Sequence, residues 1–183
     1  RLSQEKKEEW AELTKIANWE TADKKELLDI IREKGIVGIG GATFPTHVKL
    51  NPPPNTKLDS LILNGAECEP YLNSDNRLML ENPSSIIEGI KIIKKILNVP
   101  DVYVGIEDNK PEAIESMRNA AEGTGINIVP LKTKYPQGGE KQLIKSILDR
   151  QVPSGQLPSA VGVVVQNTGT AAAIYEAVVN GKP

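Results

Sequence analysis

The residue types best suited to chemistry gather in one stretch, Gly35-Ile36-Val37-Gly38-Ile39-Gly40-Gly41-Ala42-Thr43-Phe44-Pro45-Thr46-His47-Val48-Lys49. Four glycines fall within seven residues, and an aromatic ring, a proline and a lysine follow. Glycine has no Cβ, so it adopts positive φ and lets a ligand approach the backbone closely. Pro45 suits the first turn of a helix, where no amide donor is needed. A glycine loop feeding a helix N-terminus presents unpaired N–H groups and a partial positive charge, which suits phosphate. Lys49 would add a full charge. Gly38, Gly40, Gly41 and Lys49 are therefore candidates for holding a phosphorylated ligand, and a plain glycine-rich turn is the alternative. Two common phosphate loops are excluded by spacing. A dinucleotide fingerprint needs a third glycine where Thr43 stands, and a P-loop needs a Gly-Lys-Ser/Thr tripeptide that the chain lacks.

Three further loops carry polar groups. Asn64-Gly65-Ala66-Glu67-Cys68-Glu69-Pro70-Tyr71 follows an apolar run and places Asn64, Glu67 and Glu69 beyond a strand end, where α/β sheets bind ligands. Its carboxylates would serve as an acid/base pair, as ligands for a hard metal, or as acceptors for ligand hydroxyls; a merely polar loop is the remaining reading. Tyr135-Pro136-Gln137-Gly138-Gly139-Glu140-Lys141 is a second glycine turn opening a helix, with an aromatic able to stack on a ring. Gln166-Asn167-Thr168-Gly169-Thr170 is a hydrogen-bonding turn that also leads into a helix. Such loops offer backbone and amide contacts but no nucleophile. His47 is the only histidine and Cys68 the only cysteine, which excludes an intrachain disulfide and a His-based metal cluster, and no Ser-His-Asp set or activated Cys-His pair is read in the chain. His47 reads as a solvent-facing helix residue and Cys68 as a small apolar residue near the core. A site of this composition suits a cofactor that performs the chemistry itself.

The elements that must position these loops alternate. Residues 1–34 form a charged helical lead-in, with Trp10, Leu13 and Ile16 at helical spacing and Thr21 or Asp23 as a cap for a helix carrying Leu27, Leu28 and Ile31. Residues 35–183 then form one α/β domain. Strands are expected over 58–63, 102–107, 126–131 and 161–166, and helices over 82–97, 111–122, 139–148 and 170–179, the first of these started by Asn82-Pro83-Ser84 with Ser84 or Ser85 as cap. Pro52-Pro53-Pro54 is a surface excursion. Strands of continuous apolar character alternating with helices imply a Rossmann-like, mostly parallel sheet covered on both faces. A formal charge of −2 argues against nucleic acid as a partner, and no run of about 20 apolar residues is present to span a membrane. The chain opens on Arg1 rather than Met, so a piece of a longer protein is expected.

The four loops in this order resemble the C subunit of the Rnf electron-transport complex, and more distantly the flavin-bearing 51-kDa subunit of respiratory complex I. The likeness runs from about Gly35 to the end of the chain. It implies an NADH-oxidising, FMN-binding domain with no catalytic side chain and no metal site of its own. It also implies 4Fe–4S clusters in a C-terminal part outside this sequence, partner subunits of an ion-translocating membrane complex, and a peripheral position on the cytoplasmic side of the membrane. By motif, Gly38, Gly40 and Gly41 would lie against flavin and nicotinamide, Lys49 near the FMN phosphate or ribityl chain, and Asn64 at the isoalloxazine edge. Glu67 and Glu69 occupy the acidic positions that contact flavin and nicotinamide nucleotide. Phe44 would stack on adenine, Tyr135, Gly138 and Glu140 would close the pocket, and Asn167, Thr168 and Thr170 would hold the FMN phosphate. The chain departs from the complex I pattern at Ile39, where that subunit has arginine, and at Gly139-Glu140-Lys141, where it has Glu-Glu-Thr. The first change removes a phosphate-seeking charge and the second a carboxylate beside the flavin. A soluble reductase of the proline reductase or cobalamin type, and a docking module that has lost flavin, are the alternative readings.

Overall fold

The computed structural model describes residues 14–183; Trp10 and Leu13 lie outside the described residues. Ile16 is part of no helix, but its N–H donates to Val178 O at 2.8 Å and its side chain packs on the core. Helix α1 (Lys24–Glu33) starts at Asp23 rather than Thr21. The Asp23 carboxylate accepts from Glu26 N at 2.8 Å while the Glu26 carboxylate accepts from Asp23 N at 2.9 Å, a reciprocal cap that satisfies two amides the helix cannot. Leu27, Ile30 and Ile31 form its buried face.

Four parallel strands follow: β1 (Ser60–Gly65), β2 (Asp101–Glu107), β3 (Ile126–Leu131) and β4 (Val163–Asn167), in the spatial order β3-β2-β1-β4. Around them stand α2 (Thr46–Lys49), α3 (Ser74–Glu81), α4 (Pro83–Leu97), α5 (Pro111–Ala120), α6 (Glu140–Leu148) and α7 (Thr168–Val179). Side chains alternate across the pleat. Leu61, Leu63, Val102, Val104, Ile106 and Val164 enter the larger core, shared with α1, α4, α5 and α7. Ile62, Val163 and Val165 enter a smaller core closed by Leu143 and Ile144 of α6. Both faces are therefore covered, as the apolar strands imply, but unequally.

The larger layer depends on close contact between α4 and α7. A Cβ on Gly89 would stand 1.8 Å from the carbonyl oxygen of Ala171. Only glycine permits this approach of one helix to the backbone of the other.

Several boundaries differ from expectation. Asn82, not Ser84 or Ser85, caps α4; its side-chain oxygen accepts from Ser85 N at 3.3 Å, with Pro83 in the first turn. Asn82 also ends α3, a helix the apolar pattern does not announce. β1 lies two residues later than the apolar run because Leu58 and Asp59 precede the ladder. β4 begins after Gly162, whose φ of +79° ends a short 3-10 turn over Pro158–Val161. Pro45 is the N-cap of the single-turn α2 rather than a residue inside it.

The chain runs outward from β1 to β2 to β3 and returns to β4 on the other side of β1. The carboxyl ends of β1 and β4 thus form the topological switch point, where ligands bind in open α/β sheets.

Candidate functional site

The glycine stretch lies across this switch point. It is a small hairpin rather than a simple lead into a helix: Val37 and Pro45 form an antiparallel bridge, and Gly38 N donates to Phe44 O at 2.9 Å. Its tip is tied to the start of α7, because Ile39 N donates to Thr170 Oγ1 at 2.9 Å. Gly40 has φ +73°, and a Cβ there would stand 3.2 Å from Asn167 Nδ2. A side chain at Gly41 would meet no atom within 4 Å. Phe44 is 52% exposed beside the hairpin.

Asn167 closes β4 and caps α7. Its side-chain oxygen accepts from Thr170 N at 3.1 Å, and its amide donates to Asp75 Oδ2 at 2.6 Å. Thr168, the first residue of α7, is fully buried, and its hydroxyl has no hydrogen-bond partner among the described residues.

Asn64 connects this crevice to the adjacent loops. Its amide donates to Gly138 O at 2.8 Å and its side-chain oxygen accepts from Ala66 N at 3.2 Å. Gly138 N in turn donates to Cys68 Sγ at 3.2 Å, so the thiol is half-buried between two site loops rather than in the core. Glu67 has φ +46°, and its carboxylate accepts from Asp75 N at 2.7 Å, Asn76 N at 3.0 Å and Ser74 Oγ at 3.2 Å. It caps α3 from outside, where Asn73 makes no cap bond of its own. Glu69 lines a cleft of about 380 Å³ beyond the ends of β1, β2 and β3, together with Tyr71, Lys110 and Tyr135. Tyr135 is 72% exposed. Lys49 reaches across from α2 to the start of α6, where its ammonium is 2.9 Å from a Glu140 carboxylate oxygen.

The structure thus groups Gly38, Gly40, Gly41, Asn167, Thr168 and Thr170 at the switch point, and Glu67, Glu69 and Tyr135 around the neighbouring cleft. Asn64 and Gly138 join the two, and Lys49 and Glu140 pair with each other. Two participants are absent from the sequence-based candidates. Lys110 bonds to the loop carrying Glu67, and Asp75 anchors Asn167. The run Asn73-Ser74-Asp75 is the signal for Asp75, since it reads as a helix-start cluster.

Burial raises the Asp75 carboxyl above its ordinary value of 3.8, and the Glu67 and Glu69 charges raise it further, while the Asn167 bond and Lys110 pull it down. A carboxyl whose pKa is raised on folding contributes stability that is fully present below 3.8 and is lost as pH climbs through the raised value. Asp75→Asn, which cannot ionise and keeps an acceptor for Asn167, should therefore gain stability relative to wild type as pH rises from acid to neutral. Urea midpoints of the two proteins across that range check this; parallel pH profiles would contradict it.

A parallel sheet with a glycine hairpin laid over its switch point and over a helix start has the architecture of a nucleotide-binding α/β domain. Residues 31–176 match the family described as Nuo51 FMN-binding domain. The chain is 58% identical over 183 residues, all of its length, to the C subunit of the proton-translocating ferredoxin:NAD(+) oxidoreductase complex of Clostridium ljungdahlii. It is 48% identical over 165 residues to the C subunit of the Na(+)-translocating ferredoxin:NAD(+) oxidoreductase complex of Acetobacterium woodii. It spans 40% and 37% of those relatives. Two crystal structures of NAD+-reducing [NiFe]-hydrogenase share the fold. The air-oxidised state gives a TM-score of 0.70 at 21% identity and the H2-reduced state 0.72 at 23%, each covering 86% of this chain and about a third of the other. The chain belongs to the Nuo51 FMN-binding domain family, and it is similar to the C subunits of ion-translocating ferredoxin:NAD(+) oxidoreductase complexes.

The residues present fit a flavin nucleotide. Gly41 leaves open space over the hairpin backbone, the unpartnered Thr168 hydroxyl sits at a helix start, and Asn64 and Asn167 supply amide groups. Among the described residues no cluster of His, Cys, Asp and Glu could hold a metal ion, and no helix is long and apolar enough to cross a membrane.

Proposed function

We propose that this domain binds FMN at the β1/β4 switch point, exchanges hydride with NAD(H), and serves as the entry for NADH electrons into a membrane-bound Rnf-type complex. The observation that carries the reading is the glycine hairpin fixed over the start of α7 by the Ile39 N to Thr170 Oγ1 bond, with Gly40 against Asn167. FMN, when bound, supplies two-electron hydride chemistry on one side and single-electron release on the other.

The chain's own contribution is binding and orientation. The hairpin backbone at Gly38, Gly40 and Gly41 gives a ring system close access. Asn167, Thr168 and Thr170 would hold the phosphate at a helix N-terminus, where amides and the helix dipole favour an anion. Lys49 supplies positive charge, which Glu140 holds in place at 2.9 Å. Asn64 would meet the isoalloxazine edge. Glu67 and Glu69 would face the flavin and the nicotinamide nucleotide, and Phe44 and Tyr135 offer exposed rings for stacking. Electrons would continue to iron–sulfur clusters elsewhere in the subunit and to partner subunits at the cytoplasmic face of the membrane.

The test is flavin uptake. Protein equilibrated with FMN and freed of excess should retain it stoichiometrically, with a perturbed flavin absorbance. Protein that emerges colourless would contradict the proposal.

A further inference from the structure

FMN and NAD(H) binding as proposed leaves one buried charged pair unused. Glu107 ends β2, and Lys110 follows three residues later with its ammonium 3.6 Å from a Glu107 carboxylate oxygen; the two side chains are 3% and 10% exposed. Lys110 Nζ also donates to Ala66 O at 2.9 Å, to Asn109 Oδ1 at 3.2 Å and, more weakly, to Glu67 O at 3.4 Å. The other Glu107 oxygen accepts from Lys134 N at 3.2 Å. Three loops, those after β1, β2 and β3, therefore meet on this one pair.

Removing two charges from water costs energy that their attraction often does not return, so a buried pair is weak evidence for stability and better evidence for registration. The local backbone agrees. Glu67 is held at φ +46°, in the left-handed region, and its carbonyl and that of Ala66 both turn toward the same ammonium. A lysine with three donors on a compact head serves several acceptors that a planar guanidinium would not. The glycine hairpin, by contrast, is held by Thr170 and Asn167.

We infer that Lys110, anchored by Glu107, is a positioning residue: it locks the Glu67–Glu69 loop to the Lys134–Glu140 loop and so shapes the end of the site where the nicotinamide nucleotide meets the flavin ring, while the phosphate end, which dominates FMN retention, is set by the hairpin and α7. This inference rests on the proposed binding of FMN and NADH.

The test compares Lys110→Met with the double variant Glu107→Gln/Lys110→Met in the full-length protein. In Lys110→Met the KM for NADH should rise about tenfold or more while the Kd for FMN stays within about threefold of wild type. Hydrogen exchange should accelerate at the amides of Asp75, Asn76 and Gly138, and stay unchanged at Ile39 and Thr170. The double variant removes the stranded buried carboxylate, so its melting temperature should recover, yet the raised KM and the fast exchange at Asp75 and Asn76 should persist. Should Lys110→Met fail to fold, the double variant carries the test alone. Equal shifts in KM and in FMN affinity, unaltered exchange, or a KM that recovers together with stability would each overturn the inference. If wild-type protein takes up no FMN, the functional reading falls, and the exchange pattern alone decides whether Lys110 holds the loops.

Discussion

Gly89→Ala is expected to cost at least ~3 kcal/mol of folding stability, the upper end for overpacking one methyl group. The new Cβ would lie 1.8 Å from the Ala171 oxygen and 2.5 Å from its carbonyl carbon, and neither is the end of a flexible side chain. The only relief is separation of α4 from α7, which opens the larger core along both helices. A domain of this size is stabilised by roughly 5–15 kcal/mol, so the loss is a large fraction of the total. It also reaches the site, because α7 carries Thr168 and Thr170 and is capped by Asn167. Urea denaturation measures the effect; a loss below about 1 kcal/mol would mean that the helices are not in the contact described. Gly89→Val should fail to accumulate folded protein.

Gly40→Val should weaken FMN binding by about 100-fold or more, some 2.7 kcal/mol, while leaving the domain folded. Gly40 is at φ +73°, a conformation a β-branched residue avoids, and its Cβ would press on Asn167 Nδ2 at 3.2 Å. Asn167 would then be pushed away from its bonds to Thr170 N and Asp75. The hairpin is at the surface, so the cost to the fold should be limited to left-handed strain of about 1–2 kcal/mol and the loss of the Asn167 cap on α7, about 1 kcal/mol. Gly41→Ala is the control, because nothing in the protein lies within 4 Å of a side chain there. If Gly41→Ala leaves stability intact and still reduces FMN affinity, the ligand itself occupies that space. Wild-type affinity in Gly40→Val would remove the hairpin from the site.

The sheet is legible in the sequence because its strands are runs such as Leu61-Ile62-Leu63 and Val163-Val164-Val165, whose apolar character on both faces has one economical explanation. Boundaries are less legible where a cap outside the apolar run decides them. Asn82 serves two helices at once, and nothing in the hydrophobic pattern marks that. Helix α3 escapes a sequence reading because only Met79 on it is buried and its start is capped by Glu67, seven residues upstream of Ser74. In the site, glycine and amide motifs point to the loops that the fold brings together at the switch point. What spacing along the chain does not carry is which side chains pair across it. Lys49 meets Glu140 and Lys110 meets Ala66, contacts created by the fold.

The most direct test of the central claim is an anaerobic titration of FMN-loaded protein with NADH, following the flavin absorbance. Stoichiometric bleaching by NADH, reversed by an added one-electron acceptor, is the expected result. A protein that holds FMN but is not bleached would contradict the NAD(H) half of the claim, and one that takes up no FMN at all would leave a docking module as the reading of this fold.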